Sequence, residues 1–271
     1  MKSINAKSLS SLIADEYFKM NSSMSRGILN SLSSVKPKNS LEREVLALIM
    51  ENQGLSKKNL TPLCQDTGVL TVFLDIGEDF SIKGNLKKEI SIKLNEITKK
   101  KGLRFSVVDR EKKYSNNPVI HIIQTNTKKP RIVLLAKGGG SENLSKMKML
   151  SPSSSNEEIA DFAVKCVEDA QSRGCPPYIL SIGIGESAEE SALLSKMALT
   201  GMFSHNKKSY EKEISSMAMK GANALKIGIQ GLNFGETVAD CRVLIRERHI
   251  ASLPISVMFN CFQERVREII L

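Results

Sequence analysis

The chain has 271 residues and a formal net charge of +10, with 41% hydrophobic and 25% charged residues. No residue class is extreme, so the composition is that of an ordinary globular protein long enough to bury a substantial core. Aromatic residues make up only 5% and tryptophan is absent, which argues against a protein that stacks single-stranded nucleic acid on aromatic rings.

The positive charge comes from lysines dispersed in short clusters, without a recognisable nucleic-acid motif. We therefore expect no nucleic-acid partner, and a field that attracts a small anionic substrate. No apolar run is long enough to span a membrane, and the N-terminal residues lack the apolar core of a signal peptide. Five widely spaced cysteines do not suggest a disulfide framework, so we expect a cytoplasmic location.

The N-terminal region is predicted to be helical, because apolar stripes at helical spacing cross residues 7–53 and the last helix ends near Gly54. A loop at 61–68 follows, and a buried strand is predicted at 69–76. This loop crowds a cysteine, an amide, a carboxylate and a hydroxyl into four residues. Polar groups need partners when buried, so the loop is a candidate functional segment.

An amphipathic helix is predicted at 82–101 and a strand at 103–108. That strand contains Arg104, and an arginine among apolar residues either pairs with a carboxylate or binds an anionic ligand with its planar guanidinium. A further strand is predicted at 119–123.

An apolar strand at 131–136 leads directly into Lys137, Gly138, Gly139 and Gly140. The glycines allow backbone amides to approach a ligand, and the lysine adds positive charge. The spacing is wrong for a P-loop, because the lysine precedes the glycines. A carboxylate-binding nest or a tight structural turn fits better.

The rest of the chain is predicted from the same periodicities: a polar connector at 147–155, helices at 157–173, 187–199 and 211–224, and strands at 178–184, 226–229, 238–245 and 255–259. The fold class is therefore mixed α/β. A mainly helical layer at 1–55 precedes β-sheets flanked by helices at 56–271, and the whole chain is predicted to form one domain.

Three cysteines share one kind of position: Cys64, Cys175 and Cys261 each lie in a loop at the end of a predicted element, whereas Cys166 and Cys241 lie inside elements. Loops at element ends can converge at one edge of an α/β structure. Three converging thiolates could bind zinc or an iron–sulfur cluster, and the spacing alone leaves ordinary buried thiols equally open.

Several motifs follow one another in a fixed order: Pro62-Leu63-Cys64-Gln65-Asp66-Thr67-Gly68, Leu103-Arg104-Phe105-Ser106, Ala136-Lys137-Gly138-Gly139-Gly140-Ser141-Glu142-Asn143, Cys175-Pro176-Pro177, Gly183-Ile184-Gly185, and His249-Ile250-Ala251-Ser252-Leu253-Pro254 before Cys261. As an ordered set they resemble the α subunit, equivalently the N-terminal domain, of iron–sulfur class I fumarases and L-tartrate dehydratases. The resemblance covers most of the chain, from about residue 51 to Arg265.

The resemblance implies a hydro-lyase that hydrates fumarate to (S)-malate, with dehydration of L(+)-tartrate to oxaloacetate as the alternative. Cys64, Cys175 and Cys261 would hold a [4Fe-4S] cluster whose fourth iron binds the substrate. Gln65 and Asp66 would contact the substrate or order the site. His249 would assist proton handling, so that His249 and Asp66 are the predicted catalytic residues.

The resemblance also implies how the dicarboxylate is bound. Arg104 would hold its distal carboxylate, Gly138 and Gly139 would offer backbone amides, and Lys137 would supply charge. The site would be completed by a separate β subunit, in a heterotetramer of two α and two β chains.

Departures from the family pattern, at Glu186, Asn233, Phe234 and Phe262, leave substrate choice open. A non-catalytic scaffold or binding subunit of the same fold is the alternative outside enzymology.

Overall fold

The structure is a computed structural model that describes residues 2–125 and 127–271. Its helices are α1 (Ala6–Met20), α2 (Arg26–Ser34), α3 (Ser40–Asn59), α4 (Leu86–Lys101), α5 (Gly139–Glu142), α6 (Asn156–Ala170), α7 (Ala188–Leu199) and α8 (Ser209–Ala224). Its strands are β1 (Lys2–Asn5), β2 (Val69–Ile76), β3 (Phe80–Lys83), β4 (Val107–Val108), β5 (Tyr114–Ser115), β6 (Val119–Gln124), β7 (Arg131–Lys137), β8 (Lys146–Leu150), β9 (Tyr178–Ile184), β10 (Val238–Ile245), β11 (Leu253–Asn260) and β12 (Val266–Ile270). The prediction of a mixed α/β protein is confirmed.

These elements form two compact units. Within the described residues, the first unit contains 2–25, 47–139 and 265–271, and the second contains 26–46 and 140–264. That residues 1–271 act as one domain stays a prediction. None of the helices in the described part of the chain is long and apolar enough to cross a bilayer.

The first unit is built on a four-stranded sheet in the order β12–β7–β2–β6. Strands β2 and β7 are nearly continuous apolar runs with buried interiors, which suits central positions in a covered sheet. Side chains of α1 and α4, including Ile13 and Ile90, pack with these strands in one core. Because β2 and β7 are antiparallel and pair Val69 with Lys137, the loop before β2 and the turn after β7 lie at the same sheet edge.

The second unit contains a four-stranded sheet in the order β10–β9–β11–β8. Every residue of β9 is buried, and α6 and α8 contribute to the core beside it. Strand β9 begins at Tyr178, and the antiparallel strand β11 ends at Asn260, which pairs with Ile179. The loop that precedes β9 and the loop that follows β11 therefore lie at one edge of this sheet.

Two predicted elements in the second unit are wrong. Residues 226–229 do not form a strand, because Lys226 and Gly228 have φ values of 53° and 73° and the chain turns into a 3₁₀ helix at Ile229–Gly231. The predicted connector at 147–155 begins instead within β8, which pairs with β11 as an edge strand. Because lysine and methionine alternate in β8, this segment contains no continuous apolar run that would predict a strand.

Several predicted elements in the first unit have different bounds. The helix predicted to end near Gly54 continues to Asn59 in α3. The strand predicted at 103–108 is reduced to β4, because the backbone of Arg104 bonds to the side chain of Thr67 instead of to a neighbouring strand. The helix predicted at 82–101 begins only at Leu86. Asn85 caps it by accepting the backbone N–H of Lys88 at 3.0 Å.

Gly183 in β9 lies where a side chain cannot fit. A Cβ there would lie 2.2 Å from the carbonyl oxygen of Ser191 and 2.3 Å from the amide nitrogen of Ser195, and backbone atoms of α7 cannot rotate away. We expect Gly183→Ala to lower the free energy of unfolding by about 3 kcal/mol, measured by urea denaturation.

The matched control is Gly54→Ala in α3, where a Cβ would meet no atom within 4 Å. This variant should gain about 1 kcal/mol from helix propensity. Similar losses of stability in both variants would show that the contact of Gly183 with α7 is not the cause.

Candidate active site

Cys64 is half-buried in the loop before β2. Its sulfur accepts a hydrogen bond from the backbone N–H of Asp66 at 3.4 Å, and its thiol lies 3.5 Å from the side-chain oxygen of Gln65. The Asp66 amide is therefore placed to donate to a sulfur that carries negative charge. The loop itself is anchored to α1, since the N–H of Leu63 donates to the carbonyl oxygen of Asn21 at 2.8 Å.

A pocket of about 490 Å³ opens beside this loop, lined by Pro62, Cys64, Gln65, Thr67, Gly102, Leu103 and Arg104. The structure thus brings three of the predicted site residues, Cys64, Gln65 and Arg104, to one pocket. The backbone of Arg104 is fixed by Thr67, whose hydroxyl donates to its carbonyl oxygen at 3.1 Å. Its guanidinium is exposed and makes no hydrogen bond or ion pair with any residue the structure describes, so it is available to an anionic ligand.

Asp66 uses both carboxylate oxygens to hold backbone. One oxygen accepts the N–H of Gly68 at 3.0 Å, and the other accepts the N–H of Gly139 at 2.7 Å. The carboxylate therefore connects the Cys64 loop to the turn after β7. The amide of Gly139, which was predicted to reach the substrate, is directed at Asp66. The substrate-binding role of Gly139 and the catalytic role of Asp66 stay predictions.

The glycines at this junction are required by close approach. A Cβ on Gly138 would lie 2.8 Å from a carboxylate oxygen of Asp66 and 3.3 Å from the guanidinium of Arg265. A Cβ on Gly68 would lie 2.9 Å from backbone atoms of Lys137, and Gly68 has a φ of 78°. The side chain of Lys137 is only 3% exposed, and its contact with a substrate stays a prediction.

In the second unit, the loops that carry Cys175 and Cys261 are bonded to each other. The N–H of Phe262 donates to the carbonyl oxygen of Cys175 at 3.2 Å. Both thiols lie near the buried hydroxyl of Tyr178, whose pKa is raised to about 12, mainly by burial, with the negative charge of the two thiolates adding to the effect. Cys175 is exposed and Cys261 half-buried, so neither residue belongs to the buried core.

A buried ion pair anchors the segment that follows Cys261. The guanidinium of Arg242 pairs with Glu264, and it also donates to Asp240 at 2.7 Å and to the carbonyl oxygen of Leu199 at 2.6 Å. The N–H of Glu264 donates to the carbonyl oxygen of Cys261 at 3.1 Å. Because its donors find several acceptors, the buried arginine is well satisfied.

His249 lies in an exposed turn before β11. Its Nδ1 accepts the backbone N–H of Ala251 at 3.1 Å, so the neutral ring carries its proton on Nε2. The exposed ring can therefore donate a hydrogen bond from Nε2. Its role in catalysis stays a prediction.

The two remaining cysteines belong to the core of the second unit. Burial raises the pKa of both Cys166 and Cys241 to about 12. Across residues 2–125 and 127–271, no three His, Cys, Asp or Glu side chains are arranged to hold a metal ion. Cys64 belongs to the first unit, and Cys175 and Cys261 belong to the second. The shared three-thiol ligand set therefore stays a prediction.

Sequence reasoning missed three residues that fix the Cys64 loop, namely Tyr17, Asn21 and Arg265. The hydroxyl of Tyr17 donates to the carbonyl oxygens of Thr67 and Gly68, at 3.2 and 3.0 Å. Tyr17 and Asn21 belong to the pattern of an ordinary amphipathic helix, so nothing in the sequence distinguishes them. Only Arg265 stands out in the sequence, because it lies four residues after a loop cysteine.

Comparison with known proteins gives a consistent result. A family model described as fumarate hydratase (Fumerase) matches residues 7–270. A Methanocaldococcus jannaschii protein named "Putative L(+)-tartrate dehydratase subunit alpha" is 33% identical over 254 residues, which cover 88% of each chain. Proteins named "L(+)-tartrate dehydratase subunit alpha" from Escherichia coli K12 and Shigella boydii serotype 4 are 29% identical over 216 residues, or 75% of this chain and 70% of theirs.

The difference in exposure predicts two classes of thiol. In the metal-free protein at neutral pH, iodoacetamide should modify Cys64, Cys175 and Cys261, because these residues are at least partly exposed. Cys166 and Cys241 should stay unmodified until the protein is unfolded, because burial holds them in the thiol form. Peptide mapping by mass spectrometry measures each site, and rapid native labelling of Cys241 would contradict this assignment.

Proposed function

Because the chain belongs to the fumarate hydratase (Fumerase) family, we propose that it is the α subunit of a hydro-lyase acting on a C4 dicarboxylate. The first candidate reaction is the reversible hydration of fumarate to (S)-malate. The second is dehydration of L(+)-tartrate to oxaloacetate, which the names of the relatives favour. The observation that carries the proposal is the pocket of the first unit, where Cys64, Gln65 and Arg104 lie together.

The proposed cofactor is a [4Fe-4S] cluster held by Cys64, Cys175 and Cys261. The chemistry of these donors fits, because all three cysteines lie in loops and are at least partly exposed, whereas the other two cysteines are buried. When bound, such a cluster supplies a Lewis-acidic iron with a free coordination position for a substrate oxygen. Within the first unit, the Asp66 amide would donate to the bound sulfur of Cys64.

Arg104 would bind the distal carboxylate of the substrate. A guanidinium presents two parallel N–H donors that match a carboxylate, and this one has no competing partner among the described side chains. The neighbouring Gln65 can both donate and accept, which suits a hydroxyl or a second carboxylate. Lys137 and the amide of Gly138 would add to the positive side of the site.

The reaction requires loss of a poor leaving group, hydroxide, and removal of a weakly acidic C–H proton. Fixed positive groups offset the charge that collects on the substrate carboxylate as the proton leaves. His249 can donate a hydrogen bond from Nε2 to a departing oxygen, with Nδ1 held by Ala251. Asp66, with both oxygens occupied, would act by positioning the loop that carries Gln65.

A β subunit would complete the active site, and the assembly would be a heterotetramer. The relatives named "subunit alpha" support a partner chain. The groups still needed for catalysis, including a base for the C–H proton, would come from that partner. A non-catalytic scaffold is the competing role, and it predicts no turnover of any dicarboxylate by the assembled complex.

The ligand assignment is tested by serine variants of the three loop cysteines, assembled anaerobically with the β partner. Each of Cys64→Ser, Cys175→Ser and Cys261→Ser should lower iron per chain and reduce kcat by about 100-fold or more. Changing residues that only support metal ligands already costs about 10–100-fold. Iron, acid-labile sulfide, and turnover of fumarate and L-tartrate are the measurements.

Cys166→Ala is the matched control, because this thiol lies in the core and should leave iron and turnover unchanged. Full iron content in all three serine variants would overturn the ligand assignment. A wild-type complex that carries a cluster but turns over neither substrate would support the scaffold role.

The anion-binding role of Arg104 is tested by Arg104→Gln. Loss of a charge-assisted hydrogen bond should raise the KM for the dicarboxylate about 10- to 100-fold. Arg110→Gln is the control, because this arginine is also exposed in the first unit but lies in the turn between β4 and β5, outside the pocket lining. Steady-state kinetics with equal KM values for both variants would contradict the assignment.

A further inference from the structure

Arg265 is buried without a carboxylate partner. Its side chain is only 2% exposed, and it forms no ion pair within the described ranges. One guanidinium nitrogen donates to the carbonyl oxygen of Asp66 at 2.5 Å and to the side-chain oxygen of Asn21 at 2.9 Å. Its Nε is buried and has no hydrogen-bond partner among residues 2–125 and 127–271. The cation is therefore held mainly by neutral oxygens of one loop and one helix.

Arg265 binds the carbonyl oxygen of Asp66, and Asp66 in turn connects the parts of the proposed site. Its N–H donates to the sulfur of Cys64, and its carboxylate accepts the amides of Gly68 and Gly139. A second guanidinium nitrogen of Arg265 lies against Gly138, 3.3 Å from the position of a Cβ. Arg265 thus binds the Cys64 loop and lies beside the turn after β7.

Helix α1 and its C-cap residue Asn21 support the same arrangement. Asn21 accepts from Arg265 and donates to the carbonyl oxygen of Tyr17 at 2.9 Å, which fixes its amide orientation. The hydroxyl of Tyr17 donates to the carbonyl oxygens of Thr67 and Gly68. Burial raises the pKa of Tyr17, so this hydroxyl stays protonated and remains a donor.

We propose that Arg265 is a positioning residue that fixes the Asp66 peptide, and through it the orientation of Gln65 and Cys64 toward the pocket. The expected effect on catalysis rests on the proposed function, whereas the positioning of the Asp66 peptide by Arg265 does not. A charge-assisted hydrogen bond to a backbone carbonyl is stronger than a neutral one, which suits a group that must keep a loop in one geometry.

The test compares Arg265→Gln and Arg265→Lys with Arg267→Gln in the full chain. Arg267 lies two residues further along the same segment and contacts Ser23 and the carbonyl oxygen of Val266. Hydrogen exchange of the amides of Asp66, Gly68 and Gly139 should be about 10-fold faster or more in Arg265→Gln. Arg265→Lys should recover part of the protection, and Arg267→Gln should leave it within about twofold of the wild type.

Amides within β2 serve as the internal reference for global stability. Unchanged exchange of the three loop amides in Arg265→Gln would overturn the proposal, and so would an equal acceleration throughout β2. In the assembled enzyme, Arg265→Gln should raise KM for the dicarboxylate more than it lowers kcat. If wild-type protein turns over no dicarboxylate while the loop amides respond as expected, the proposed function fails and the positioning role remains.

Discussion

The first unit's candidate site depends on one carboxylate that accepts two backbone N–H groups. Asp66 can reach both Gly68 and Gly139 because the antiparallel register of β2 and β7 brings their loops to the same sheet edge. The same proximity leaves no room for a Cβ at Gly68 or Gly138. The strand register, the Asp66 carboxylate and the two glycines therefore depend on one another, and together they shape the pocket beside Cys64.

In the second unit, a buried ion pair has a similar role, because it restrains the loop that carries Cys261. Arg242 has three acceptors, and Glu264 follows Cys261 closely in the chain, so the pair restrains the turn that presents this thiol. Removing one member of a buried pair leaves an uncompensated charge in the interior, so breaking the pair is strongly destabilising. The ion pair therefore holds the turn in one geometry. In both units a loop cysteine is thus held by a buried arginine that does not touch the sulfur itself.

The sequence was informative where one local pattern decides the structure. Continuous apolar runs predicted β2, β7 and β9 with bounds close to those observed, because central strands bury both faces. The order of the motifs predicted that Cys64, Gln65 and Arg104 belong to one site, and these three residues line one pocket. The positions of Arg265 and Tyr17 could not be read in this way, because each binds backbone carbonyl oxygens that only the folded chain brings within reach.

The C-terminal strand β12 pairs with β7, although residues 140–264 of the second unit separate them in the chain. The sheet of the first unit therefore cannot be closed during synthesis until the residues of the second unit have been made. Until then, the edge of β7 is an unpaired row of backbone donors and acceptors, which invites pairing with other chains. Arg265 immediately precedes β12, so docking of this strand and ordering of the Cys64 loop would be late and simultaneous events in folding.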